Sequence, residues 1–216
     1  MRVALVMALL VFAGAPLPAQ RITFGVDAAL ADYREQGAAL RFTGGGLSGL
    51  AGVDVWRLQV RARATRMHVS GASETAEVTD AFDIAQNDVN VRMRVTPRVG
   101  VEAGILSRAM TPEHAAQSMS AWRAGGVFLQ PLAPGADLSV RAAYLGATKF
   151  GGGGTAPFGL DVGLAVSYGP GTGRVRLTAE YDFQRIDRKT RLGDAQIDVP
   201  IQSAIARIGV AAAFGR

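Results

Sequence analysis

The chain has 216 residues, a net charge of +5, 27 glycines and no cysteine. That length suits one domain or at most two, and the missing cysteines exclude a disulfide scaffold, a Cys-based zinc site and a thiol nucleophile. The basic excess is nearly all arginine, Lys149 and Lys189 being the only lysines. It is spread along the chain rather than gathered into the patch of a nucleic-acid binder, so no nucleic-acid partner is expected.

Residues 1–19 read as a secretory signal peptide: Arg2 supplies the positive start, Val3 to Phe12 an uncharged apolar stretch, and Ala19 the cleavage point, with Gln20 as the new N-terminus. Export through the secretory pathway follows. Residues 20–216 are then a single domain. No later run approaches the roughly 18 apolar residues of a membrane helix, so a helical membrane protein is excluded.

Beyond the leader the hydrophobic period is two. Leu58, Val60, Ala62 and Ala64 alternate with Gln59, Arg61, Arg63 and Thr65. The same rhythm runs through Val89 to Val95, Leu138 to Tyr144, Leu160 to Ser167, Val175 to Phe183 and Ala206 to Phe214. Each segment is a β-strand with one apolar and one polar or small face. The count is ten antiparallel strands, at about 21–32, 39–52, 57–69, 87–96, 98–107, 119–130, 137–149, 159–168, 174–186 and 199–214. Short Pro/Gly turns alternate with longer polar loops, as in an up-and-down barrel whose two ends differ. Two places break the phase. Gly44-Gly45-Gly46 predicts a glycine bulge. Phe82 and Ile84, out of phase with Val89 and Val91, predict a bulge or loop near Gln86. If either segment fails as a strand, eight strands is the alternative.

The polar face carries Arg41, Arg61, Arg63, Arg92, Arg94, Arg123, Arg141, Arg176 and Arg207, with Asp27, Glu102, Asp161, Glu180 and Asp182. The apolar face of the clear strand centres carries no charge, which is what a lipid-facing surface requires: one Lys or Arg at the midplane costs about 2–4 kcal/mol. Aromatic residues fall near strand ends, with Phe24, Trp56, Phe128, Tyr168 and Phe214 at the short-turn end. Trp122, Phe150, Tyr181 and Phe183 lie toward the other. This arrangement predicts two interfacial girdles.

The leader, the ten alternating segments and the final strand IARIGVAAAFGR together resemble the small bacterial outer-membrane β-barrel proteins. That resemblance implies an all-β transmembrane barrel in the outer membrane, in contact with its lipid. It also implies recognition of the last strand, through Phe214, by the barrel-insertion machinery, although Gly215 and Arg216 follow Phe214 rather than leaving it terminal. It carries over no catalytic residues, because many activities share the architecture.

Four functional readings arise. In the first, the arginines and carboxylates pack into an ion-pair network that fills the lumen, and the protein has a structural or surface-interaction role without enzymatic activity. In the second, the arginine excess lines a small, weakly anion-favouring channel of porin type. The third is a surface hydrolase built on His68 or His114, with Asp83, Glu113 or Ser118 as partners. The fourth inverts the faces into a soluble lipocalin-like barrel around a ligand. Two isolated histidines do not make a metal site, and Lys149-Phe150-Gly151-Gly152-Gly153-Gly154 lacks the remainder of a phosphate-binding loop, so no cofactor is expected. The charged stretch Arg185–Asp198 predicts a hairpin rising above the membrane and turning near Gly193-Asp194. Its Arg185, Arg188, Lys189 and Arg191 are candidates for lipopolysaccharide phosphates.

Overall fold

The computed structural model describes residues 20–36, 40–72, 81–112, 114–169, 174–192 and 195–215. The predicted signal peptide lies outside them. Ten strands run in chain order: β1 (Gln20–Glu35), β2 (Leu40–Val55), β3 (Leu58–Gly71), β4 (Phe82–Arg94), β5 (Val99–Thr111), β6 (Met119–Ala133), β7 (Ala136–Phe150), β8 (Thr155–Tyr168), β9 (Val175–Leu192) and β10 (Ala195–Gly215). Each pairs with its chain neighbours, and β1 pairs antiparallel with β10 from Arg21 opposite Gly215 to Glu35 opposite Ile201. The sheet therefore closes without an edge. Closure leaves every strand with a partner on each side, which lets the backbone cross a bilayer with its polar groups paired.

Side-chain direction follows the alternation. Phe24, Val26, Leu30, Leu47, Val91, Ile105, Leu164, Leu177 and Ile208 stand exposed on the outside. Among the girdle candidates, Phe24, Trp56, Trp122, Phe128, Tyr168, Tyr181 and Phe214 are exposed as well, and Phe183 lies on the outward-facing parity of β9. A closed barrel with an apolar exterior is the outer-membrane type, with short turns toward the periplasm and longer loops toward the outside. The protein is an integral outer-membrane barrel.

Three local expectations are corrected. The triple glycine makes no bulge: the registers of β2 with β1 and with β3 run through it unbroken. The glycines serve close approach instead. A Cβ at Gly44 would lie 1.9 Å from the His68 carbonyl oxygen, and one at Gly46 1.8 Å from that of Arg66. Nor is there a break near Gln86, because β4 pairs continuously from Phe82 to Arg94. Phe82 and Ile84 simply point inward, on the same face as Arg92. Register shifts occur elsewhere, at Pro131–Ala133 of β6, at Thr155–Phe158 of β8 and in β7, where the register passes from Ser120 opposite Lys149 to Trp122 opposite Gly146. The β7 bulge swaps the faces of the last residues of that strand, so Phe150 turns inward and leaves the girdle.

The interior changes character along its length. At the long-loop end Tyr33, Phe42, Met67, Val69, Phe82, Ile84, Leu106, Met110, Leu145, Ile186, Ile201 and Ile205 form one buried apolar cluster. Burying a side chain of this size contributes about 1.5–3 kcal/mol relative to leaving it in water. Toward the short turns, charged side chains replace the apolar ones on the same inward face.

Candidate functional site

The charged half of the lumen is built by inward positions of all the strands, β2 contributing Asp54 at the short-turn edge, where it accepts from Gln59. Arg63 of β3 makes a two-pronged pair with Glu180 of β9, one of its bonds measuring 2.8 Å, and lies 3.7 Å from Asp27 of β1. Asp182 accepts from Arg207 and, at 2.8 Å, from Arg141. Arg141 also reaches Asp161 at 2.9 Å, and Asp161 accepts from Arg123 at 2.8 Å. Arg123 forks onto Asp88 at 2.8 and 2.9 Å. Glu102 stands 3.3 Å from Arg92, 3.5 Å from Arg141 and 3.6 Å from Arg123. Guanidinium forks on carboxylates are the strong, directional form of ion pair. In an enclosed lumen each member depends on the others, because an uncompensated buried charge is costly.

A thin polar layer separates this network from the apolar cluster. Ser48 and Thr65 hydrogen-bond at 3.1 Å. Arg108, buried, donates to Gln86 Oε1 at 2.7 and 3.0 Å and also to Gln184. Above the apolar cluster lies the short 3-10 turn Ala115–Gln117, with His114 at its start. His114 packs its ring against Phe82 and Phe42, with centroids 4.4 and 5.0 Å away, and its Nδ1 is 3.8 Å from Glu35. Glu35 in turn accepts from the Tyr33 hydroxyl at 3.0 Å. Arg188 donates to the Gly153 carbonyl at 2.6 Å and to Gln117, and lies over the Phe150 ring.

Not every predicted lumen residue joins the network. Arg41 is a correction: it is on the outside of β2, half-exposed, and pairs with Asp32 at 2.9 Å. Its inward neighbour is Phe42, so the polar face assigned to β2 from Arg41 had the phase reversed. Arg94 and Arg176 sit at the short-turn rim. Arg94 donates to the Trp56 carbonyl at 3.0 Å, and Arg176 to Ser167 Oγ at 3.0 Å and to Asp137. Arg61 lines the lumen without an ion pair or side-chain hydrogen bond among the described residues. Sequence reasoning missed Asp88 and Arg108, although both have the parity of a neighbour already placed inside, Asp88 with Arg92 and Arg108 with Glu102. Arg108 was lost because β5 runs on to Thr111 rather than ending at residue 107.

On the outside, register aligns Arg185, Gln202, Arg34 and Arg41 across β9, β10, β1 and β2. The row lies just beyond the outward Phe183, Tyr181 and Leu30. Arg34 and Arg41 share the carboxylate of Asp32. Arg188, expected among the surface phosphate ligands, is turned inward and buried. Lys189 stands 3.8 Å from Asp198 across the β9–β10 hairpin. Its predicted turn at Gly193-Asp194 lies outside the described residues. His68 meets Asp83 at 2.8 Å on the exposed outer face of β3 and β4. His114 meets Glu35 rather than the candidates named for it. Glu113 is outside the described residues, and the Ser118 hydroxyl accepts from the Met110 backbone N–H at 2.9 Å. His68 thus meets one of the partners named for it, while among the described residues no hydroxyl hydrogen-bonds either histidine.

No protein-family model matches the chain, and no curated protein matches it. Solved structures do. Neisserial surface protein A is 16% identical, with 88% of this chain and 96% of that one covered, at a TM-score of 0.41. An outer membrane channel from Pseudomonas putida F1 is 9% identical over 92% and 97%, at 0.49. The attachment invasion locus protein Ail of Yersinia pestis is 11% identical over 92% and 100%, at 0.42. At these identities no residue role passes from them to this chain.

Proposed function

We propose that the protein is a non-enzymatic outer-membrane barrel whose filled lumen serves its stability and whose outer rim does its work. The observation that carries this reading is the closed long-loop half of the lumen, where Tyr33, Phe42 and Phe82 are at most 1% exposed and His114 caps them. Packed side chains rather than a water column occupy that level. Below it, the five ion-paired arginines and the unpaired Arg61 stand against six network carboxylates, which argues against a pore made anion-selective by an arginine excess. Planar-bilayer recording of refolded protein tests the reading: a silent bilayer is expected, and discrete steady conductance steps would overturn it.

The working surface is the row Arg185, Gln202, Arg34 and Arg41. Adjacent strands are about 4.8 Å apart, so Arg34 and Arg41 lie side by side, with an apolar and aromatic band directly beneath. This spacing suits the phosphates of an outer-leaflet glycolipid such as lipopolysaccharide, whose acyl chains would lie along Leu30 and Ile208. Refolding into vesicles with and without lipopolysaccharide tests this. Wild type is expected to fold faster with it, and the triple variant R34Q/R41Q/R185Q to lose the difference.

A further inference from the structure

The lumen network does not close completely on itself. A cavity of about 50 Å³ lies inside it, and its walls carry five guanidiniums against three carboxylates. Those carboxylates are already engaged: Asp182 by Arg141 and Arg207, Glu180 by Arg63, Asp88 by Arg123. Two guanidiniums of the wall are left with little or nothing. Arg92 has only Glu102, at 3.3 Å, and Glu102 is shared with Arg123 and Arg141. Arg61 has no ion pair and no side-chain hydrogen bond among the described residues. The β3–β4 register sets Arg61 opposite Asn90 and Gln59 opposite Arg92. Arg61 and Arg92 are therefore diagonal neighbours on one inward surface, the closest relation that two lumen side chains on adjacent strands have after direct opposition.

We propose that Arg61 and Arg92 bind a small monovalent anion of the halide class in this cavity. The physical reason is that guanidiniums outnumber carboxylates on the wall, and that the two carboxylates nearest Arg61 are already engaged, Asp54 by Gln59 and Glu180 by Arg63. Size sets the class. A cavity of this volume takes a few water-sized particles, at roughly 10–15 Å³ each, so a halide fits and a sugar phosphate does not. Charge sets it too, because Asp88, Glu180 and Asp182 share the walls and would repel a dianion. The apolar cluster above closes the long-loop side, and the side-chain stems of Arg61 and Arg92 lie over inward-facing Gly52 of β2 and Gly100 of β5. The anion therefore enters from the periplasmic side and goes no further. This site is independent of the lipid-facing row and holds whether or not that row binds glycolipid.

Bromide provides the test. Crystals of the refolded full chain soaked in sodium bromide are expected to show an anomalous peak between Arg61 and Arg92. The R61Q variant is expected to lose that peak. Arg61 holds no ion pair, so the variant folds, and its heat-dependent gel mobility checks that it has. A wild-type cavity without bromide overturns the proposal, as does a peak that survives in R61Q.

Discussion

The two halves of the lumen fill the same kind of space by different physics. Around Phe42 and Phe82 the contacts are ring against ring, with centroids 4.9 Å apart, and aliphatic side chains fill the remainder. Each residue there contributes its own buried area, and a neighbour can shift slightly when one is trimmed. Around Arg123 the contacts are charge on charge. Arg123 alone touches Asp88, Asp161 and Glu102. A residue in the first half is one contributor among many, whereas a residue in the second half is a condition for its partners being tolerable at all. The narrow layer of Arg108, Gln86 and Gln184 keeps the two apart by giving the Arg108 guanidinium neutral acceptors.

The sharpest way to break this comparison is Arg123→Ala. Three carboxylates lose a partner inside a closed lumen, and removing one member of a buried pair costs about 3–5 kcal/mol. The measurement is urea unfolding of the barrel in vesicles. Adding Asp161→Asn to Arg123→Ala is expected to restore part of the loss, since coupled neighbours interact by about 0.5–3 kcal/mol. Strict additivity of the two changes would mean that the charges act independently.

Phe82→Ala tests the other half. A buried Phe→Ala change costs about 3 kcal/mol, at the low end of the usual range where the site can partly collapse. It is expected to add to a distant charge-network variant rather than couple with it. It also thins the seal beneath His114. Brief conductance events in planar bilayers are expected from this variant and not from Gln86→Ala, which leaves the rings in place.

Strand number, closure and the lipid-facing side were legible because they rest on a period of two sustained over ten segments. The network around Arg63, Arg123, Arg141 and Arg207 was legible for the same reason. The apolar half was not. Phe82, Ile84, Met110 and Ile186 are inward residues, but a pattern of faces assumes that one face keeps one polarity from end to end. Here the inward face is charged toward the short turns and apolar toward the long loops, and the change of polarity looked like a change of phase. Hence the bulge expected near Gln86, where the chain in fact passes from one lumen chemistry to the other. Phe150 was misplaced by the reverse case, a true bulge in β7 at Ala147-Thr148, which the alternation alone does not mark beyond the single preceding Gly146.

Arg41 turns the comparison on a single residue type. It has the same side chain as Arg123 and a carboxylate partner at nearly the same distance, 2.9 Å from Asp32. It differs in being on the outside, with 47% of its side chain exposed. Water already solvates it there, and Arg34 remains to neutralise Asp32. Arg41→Gln is therefore expected to change unfolding stability by no more than about 1 kcal/mol, the range of exposed ion pairs. That is several-fold less than Arg123→Ala in the same vesicles. A loss as large as that of Arg123 would mean that the outer rim is as tightly coupled as the lumen, and that exposure does not separate the two classes of arginine in this barrel.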